Sequence, residues 1–332
     1  MSKLPSGKDL KIAVTGNLNI DLIIRGINTL PEWGQEKAGR DYTVVASGQA
    51  GYLSLALGYL GIPPVVIGNV GEDSFGSLIL RSLDSVGAEL SSVEISKGKT
   101  TGITVGVVRD DGERAFISDF SCLRDYNEHL IERFWPNLSS CGILCLVGLF
   151  CLPSFTMDGV LSIFQKARSQ GKLTLLDTGW DPNNWQEPTK IGLQKILAAT
   201  TIFLPNSDEA FVISGKSTIE EAAQSLADYG PELVIIKCGG RGSYALHKGE
   251  GFWVPALPTE VFDTVGAGDV FNAGFLYGFT KGWEINQCMA FGNATSSLYI
   301  SEVAGRRYPL SDEVLSHAKN YRNFDWELLN RA

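Results

Sequence analysis

An α/β fold, a mostly parallel sheet with helices on both faces, is what this chain's pattern predicts. Short apolar runs of strand length alternate with helix-length segments over most of the 332 residues, and 37 glycines supply the tight turns such alternation needs. Two β-rich excursions interrupt the alternation and predict a second, smaller sheet. The length allows two domains or one large one. With no internal repeat, low-complexity tract or long linker, residues 1–332 read as one domain.

The elements follow in order. Lys11 to Gly16 is a short buried strand ending in glycine. The first excursion spans about 22–45, with strand-like Leu22-Ile23-Ile24 and Tyr42-Thr43-Val44-Val45 around a polar loop holding Pro31 and Gly34. Ser47-Gly48-Gln49-Ala50-Gly51 leads into a helix that stops near Gly61, then Pro64 to Gly68 is a strand and Ser74 to Val86 a helix. Gly61 and Gly87 stand where helices end in a left-handed residue. The second excursion, about 101–119, reads as a hairpin: Gly102 to Val108 and Arg114 to Ser118 flank Arg109-Asp110-Asp111-Gly112. Strands are then expected at 143–147, 173–176, 201–204 and 233–237, and helices at 155–169, 191–199 and 219–229. Two short strands lie between Tyr244 and Val254, turning at Lys248-Gly249-Glu250. Helices at 267–280, 285–301 and 312–319 close the chain.

A net charge of -9, from 28 basic and 37 acidic residues, argues against a general nucleic-acid or anionic-membrane binder. Six cysteines in so long a chain make no disulfide framework, and no N-terminal apolar run precedes a cleavage site, so a cytoplasmic protein with reduced thiols is expected. Cys141, Cys145 and Cys151 match no zinc spacing and read as parts of a buried strand. No apolar run reaches the ~18 residues of a membrane span.

The stretch Val261 to Gly274, VFDTVGAGDVFNAG, carries the chemistry. Gly266-Ala267-Gly268 leaves backbone N–H groups uncovered, and the helix behind them adds its positive dipole end, so together they can hold an anion. A carboxylate at Asp269 beside a bound phosphate is repelled by it, unless its task is to take the proton from a hydroxyl attacking that phosphate. The alternative is a helix cap that binds nothing.

Two motifs are decoys. Ser214-Gly215-Lys216-Ser217 resembles the end of a P-loop, but Ala210 stands where the first glycine belongs and a helix precedes it instead of a strand. Gly266-x-Gly268-x-x-Phe271 lacks the third glycine of a dinucleotide fingerprint and lies near the C-terminus. His129, His247 and His317 show no metal spacing.

Polar residues at strand ends remain. Asp21 follows the first strand, where α/β sheets place ligands, and could hold hydroxyls or simply shape a turn. Asn206 and Glu209 sit between a strand and a helix. Glu209 could act on Mg²⁺ through water while Asn206 binds a phosphate oxygen, or the pair could cap the helix. Lys237-Cys238-Gly239-Gly240-Arg241-Gly242 ends a strand in glycines that let a nucleotide approach the backbone, or is a plain turn.

DTVGAGDVFNAG resembles the C-terminal signature of the PfkB/ribokinase family of carbohydrate kinases. GNLNIDLI, the Gly48 to Gly61 segment, the 102–118 hairpin, NSDE and KCGGRGS follow in the family's order over almost the whole chain. The resemblance implies a Rossmann-like domain with a β-sheet lid. It also implies that Asp269 would be the catalytic base and the amides of Gly266, Ala267 and Gly268 the anion hole. Asp21, Gly48, Gln49 and Tyr52 line the sugar site; Asn206, Lys237, Gly239, Gly242, Thr264 and Asn293 the ATP site. Glu209 serves Mg²⁺, and Asp263 with the backbone near Ala304 and Gly305 matches a monovalent-cation site, K⁺ being the candidate. A homodimer through the lid is the partner such proteins suggest.

The N-terminal signature departs from the pattern: Ser47 replaces a glycine and Tyr52 replaces an asparagine that binds sugar hydroxyls. A tyrosine offers one hydroxyl and a ring in place of an amide's donor and acceptor. A hexose, a keto-deoxy sugar acid, a nucleoside stacked on Tyr52 and a phosphosugar reached by Lys37 or Arg40 all stay open. The expected function is ATP- and Mg²⁺-dependent phosphorylation of a hydroxyl on a small sugar, with a nucleoside kinase or a noncatalytic binding protein of the same fold as alternatives. A nicotinamide oxidoreductase would need a glycine fingerprint in the first strand–helix unit, which is absent.

Overall fold

The computed structural model describes residues 10–111, 113–302 and 307–321. Its strands are β1 (Lys11–Gly16), β2 (Asn19–Arg25), β3 (Asp41–Ser47), β4 (Val65–Gly71), β5 (Glu89–Ser96), β6 (Gly102–Val108), β7 (Arg114–Asp119), β8 (Cys141–Val147), β9 (Leu173–Asp177), β10 (Ile202–Phe203), β11 (Leu233–Lys237), β12 (Ser243–His247) and β13 (Glu250–Val254). Its helices are α1 (Gln49–Tyr59), α2 (Ser74–Asp84), α3 (Glu128–Arg133), α4 (Met157–Ser169), α5 (Glu187–Leu197), α6 (Ser207–Ser214), α7 (Ile219–Ala227), α8 (Ala267–Thr280), α9 (Ile285–Ile300) and α10 (Ser311–Ala318).

Among the described residues a nine-stranded sheet has the order β13-β12-β11-β10-β9-β8-β1-β4-β5. Every pairing from β5 across to β11 is parallel, and β12 and β13 add an antiparallel ribbon. Both faces are covered because alternate side chains feed separate cores. Ile12 and Val14 of β1 and Ile143 and Cys145 of β8 join one core with residues of α1, α2, α8, α9 and α10. Ala13 of β1 and Leu144 and Leu146 of β8 join the other, with residues of α3 to α7.

The chain leaves the central β1 toward β4 and β5, and later continues from β8 outward to β11. The reversal therefore lies between β1 and β8, whose last residues, Gly16 and Val147, are register partners. Crevices open at such points, outside the carboxyl ends of the strands.

The two excursions form a four-stranded sheet of order β3-β2-β6-β7. β2 pairs antiparallel with β3 and parallel with β6, and β6 and β7 form the hairpin, whose turn residue Gly112 lies outside the described residues. The strands are longer than the pattern shows, since β2 starts at Asn19 and β3 runs to Ser47. Polar Asn19, Asp21 and Arg25 hide these ends from a hydrophobic reading, yet all three are buried on one face of β2.

β5 gives little sequence signal: it is an edge strand in which only Val93 and Ile95 alternate and Leu90 is out of phase with them. α3 is too short for a helical period, and α5 begins four residues before the pattern does, with Pro188 in its first turn. The P-loop decoy is the corner between α6 and α7, where Gly215 ends one helix at φ 68° and Thr218 caps the next. All six cysteines are free. Among the described residues no helix is long and apolar enough to cross a membrane, and no cluster of His, Cys, Asp or Glu could by itself hold a metal.

Candidate active site

The carboxyl ends of β9, β10 and β11 deliver Asp177, Asn206 and Lys237 to one crevice, which the first residues of α8 also line. A cavity of about 780 Å³ opens there, lined among others by Gln49, Asp177, Glu209, Lys237, Gly266 and Asp269. Gly239, Gly242, Thr264, Asn293 and Ser296 extend its wall.

Gly266 caps α8 with φ 79°, a left-handed conformation that strains any side chain. A Cβ there would also stand 2.9 Å from the Tyr52 ring. The cap has no side-chain hydrogen bond; the Ala267 N–H donates to the Thr264 carbonyl at 3.2 Å, and Gly266, Ala267 and Gly268 line the cavity. Asp269 lies in that first turn, buried. Burial holds its carboxyl well above the usual range and repulsion from Asp177 adds to this; Lys237 and a 3.4 Å hydrogen bond from Gln49 Nε2 oppose it. A carboxylate so placed is primed to hold a proton.

Asp177 was not singled out by the sequence reading, and it organises this corner. Its Oδ2 accepts from Lys237 Nζ at 2.5 Å and from Asn272 Nδ2 at 2.6 Å. Burial alone would lower the Lys237 ammonium, but Asp177 and Glu209 outweigh it and the pKa ends above the usual lysine value. The signal was present: Asp177 ends a parallel strand, the argument that selected Asp21, but an apolar pattern stops at Leu176.

Asn206 and Glu209 meet both descriptions offered for them. Asn206 Oδ1 accepts from the Glu209 N–H at 2.9 Å and Glu209 Oε2 from the Asn206 N–H at 2.9 Å, a reciprocal cap on α6. They also line the cavity, and burial together with Asp177 lifts the Glu209 carboxyl to about 7. Asn293 lines it too, but its amide donates to the carbonyls of Val254 and Pro255, so it holds the wall in place.

A second polar cluster joins β2 and α1 just past the end of β1. Asn17 donates to Asn19 (2.7 Å), Asn19 to Asp21 (3.1 Å), and the Tyr52 hydroxyl to the other oxygen of Asp21 at 2.8 Å. Burial raises the Asp21 carboxyl, and hydrogen bonds with Ser47, Tyr52 and Asn19 counter it. Gly48 has φ 84°, and a Cβ on it would sit 2.2 Å from the Asn17 carbonyl oxygen. The buried ring of Tyr52 is packed under Gly266, which removes the nucleoside-stacking role considered for it. Arg40, considered for a phosphosugar, is bound to Asp41 and Asp110, and Lys37 to Thr29.

Asp263 is not an open cation ligand. Arg25 Nη2 reaches its Oδ2 at 3.0 Å and the Val265 N–H donates to its Oδ1 at 3.0 Å, while Ala304 and Gly305 lie outside the described residues. Arg114, on β7, donates to the Thr264 hydroxyl.

With a buried acid in the first turn of a helix that no side chain caps, and a cavity of nucleotide size beside it, comparison with known proteins decides the family. Residues 9–311 match the pfkB family carbohydrate kinase model. The chain belongs to the PfkB family of carbohydrate kinases. Among its relatives are an uncharacterized sugar kinase of Archaeoglobus fulgidus, 30% identical over 76% of this chain and 97% of the relative, and the 5-dehydro-2-deoxygluconokinase of Geobacillus kaustophilus, 28% identical over 91% of each. The Arabidopsis thaliana ribokinase, solved with ribose and ATP, superimposes with a TM-score of 0.80 at 24% identity, covering 93% of this kinase and 99% of that chain. A Methanocaldococcus jannaschii nucleoside kinase gives 0.78 at 21% identity, covering 95% and 99%. The ribokinase fold is thus shared, and the noncatalytic and oxidoreductase readings give way to a sugar kinase.

Proposed function

We propose that this kinase transfers the γ-phosphoryl group of ATP to a primary hydroxyl of a small sugar or sugar acid, with Asp269 as general base. One observation carries the reading: Asp269 sits buried in the first turn of α8, where its carboxyl is held above the usual range beside amides that no side chain caps. The sugar hydroxyl attacks the γ-phosphorus as its proton passes to Asp269, and the bond to the ADP oxygen breaks. The N–H groups of Gly266, Ala267 and Gly268 stabilise the charge that collects on the transferring oxygens.

Asp177, Asn206 and Glu209 fit a hard cation held largely through water and phosphate. A buried carboxyl lifted to about 7 is one that added positive charge would ionise. Mg²⁺, when bound, neutralises phosphate charge. Lys237 orients Asp177, and the Gly239 to Gly242 turn leaves backbone room beside the nucleotide. Asp21 is the acceptor for a sugar hydroxyl, with Gly48 and Gln49 beside it and Tyr52 fixing its orientation. The four-stranded sheet serves as a lid that excludes water from the transfer. Its exposed Tyr42, Phe116 and Ile117, with β7 as an open edge, support pairing with a second copy.

The names of several relatives make 5-dehydro-2-deoxygluconate the first sugar to assay. A panel of that compound, 2-keto-3-deoxygluconate, ribose, fructose and nucleosides, scored by acceptor-dependent ADP release, tests the proposal. Turnover with at least one sugar is expected. Turnover with nucleosides alone would replace the sugar.

A further inference from the structure

Arg25 stands against Asp263, where the family resemblance implies a monovalent cation. Its side chain is 8% exposed, as is that of Asp263, and the two meet at 3.0 Å although 238 residues apart in sequence. The same guanidinium donates to Thr43 Oγ1 at 2.8 Å and to Asp41 Oδ1 at 3.1 Å, on the strand directly across from it. Arg25 is buried on the face of β2 that also carries Asn19 and Asp21, so the ladder turned toward the sugar ends in a fixed positive charge.

What that charge grips is the loop entering α8. Phe262 and Asp263 donate their N–H groups to the Ile300 carbonyl at 2.8 and 3.1 Å, and the Asp263 carboxylate turns the chain by accepting from Val265. Gly266 follows at once. A carboxylate buried in this loop needs a cation beside it, and removing one partner of such a pair leaves an uncompensated charge. A guanidinium suits the task because it is planar, permanently charged and able to hold several acceptors at once.

We propose that Arg25 is a positioning residue that acts as a built-in cation at Asp263, ordering the Thr264 to Gly268 anion hole without a monovalent ion and tying it to the lid sheet. The proposal rests on the kinase reading for its effect on turnover, but its stability test needs no sugar. Thermal melting and turnover are compared in KCl and in choline chloride at equal ionic strength, for the native protein, Arg25→Gln and Arg25→Lys. The native protein is expected to differ less than about twofold in turnover between the salts, with no K⁺-specific shift in Tm. Arg25→Gln should melt lower in choline and recover both Tm and at least about tenfold in turnover with KCl, while Arg25→Lys keeps part of the native behaviour in either salt. Native turnover that depends strongly on K⁺ would overturn the proposal. So would an Arg25→Gln protein that is native-like in choline, or one that K⁺ does not restore.

Discussion

The phosphate end and the sugar end of the crevice are built on opposite plans. At the phosphate end one contiguous stretch, Gly266 to Asp269, supplies the helix cap, a first turn that no side chain caps and the buried acid. At the sugar end no stretch suffices: Asp21, on β2, is oriented by the Tyr52 hydroxyl, 31 residues away on α1. A function written in consecutive backbone positions tolerates little change, since Gly266 has neither the φ nor the space for a side chain. One assembled from side-chain pairs can exchange partners, and Tyr52 is such an exchange.

Substitutions can break or sharpen that contrast. The largest effect is expected at the phosphate end: Asp269→Asn should lower turnover by about 10²–10⁴, the range for loss of a general base. At the sugar end Tyr52→Phe removes one donor to a buried carboxylate, about 1.5–3 kcal/mol. It should therefore raise the sugar KM roughly 10- to 100-fold while steady-state kinetics show the ATP KM unchanged; equal rises in both would erase the distinction between the two ends.

The next effect is on pH. Asp269 must be ionised to accept a proton, so the acid limb of kcat/KM follows its raised pKa. Asp177 repels the ionised form and Gln49 donates to it. Asp177→Asn should therefore move the acid limb to lower pH, and Gln49→Ala should move it higher; pH–rate profiles showing the reverse order would refute this assignment of causes. The smallest effect belongs to the decoy: Lys216→Ala, on the exposed corner after α6, should change the ATP KM by less than about twofold, as surface substitutions do.

This contrast also explains what was legible in the chain. The parallel sheet, both excursions and the motif before α8 are local patterns, and the structure holds them all. Asp177 escaped because an acid ends an apolar run, and β5 because an edge strand need not alternate. The Arg25–Asp263 pair has no local signature at all: it exists only once β2 is folded beside the loop before α8. Tyr52 could be seen as a departure, but its bond to Asp21 and its place under Gly266 are tertiary facts.

The account stands most directly on one comparison: sugar-dependent ADP formation by the native protein and by Asp269→Asn, with ATP affinity measured on the same preparations. Turnover reduced by at least about 10² with ATP binding retained is the expected result. Native-like turnover in the variant would contradict it.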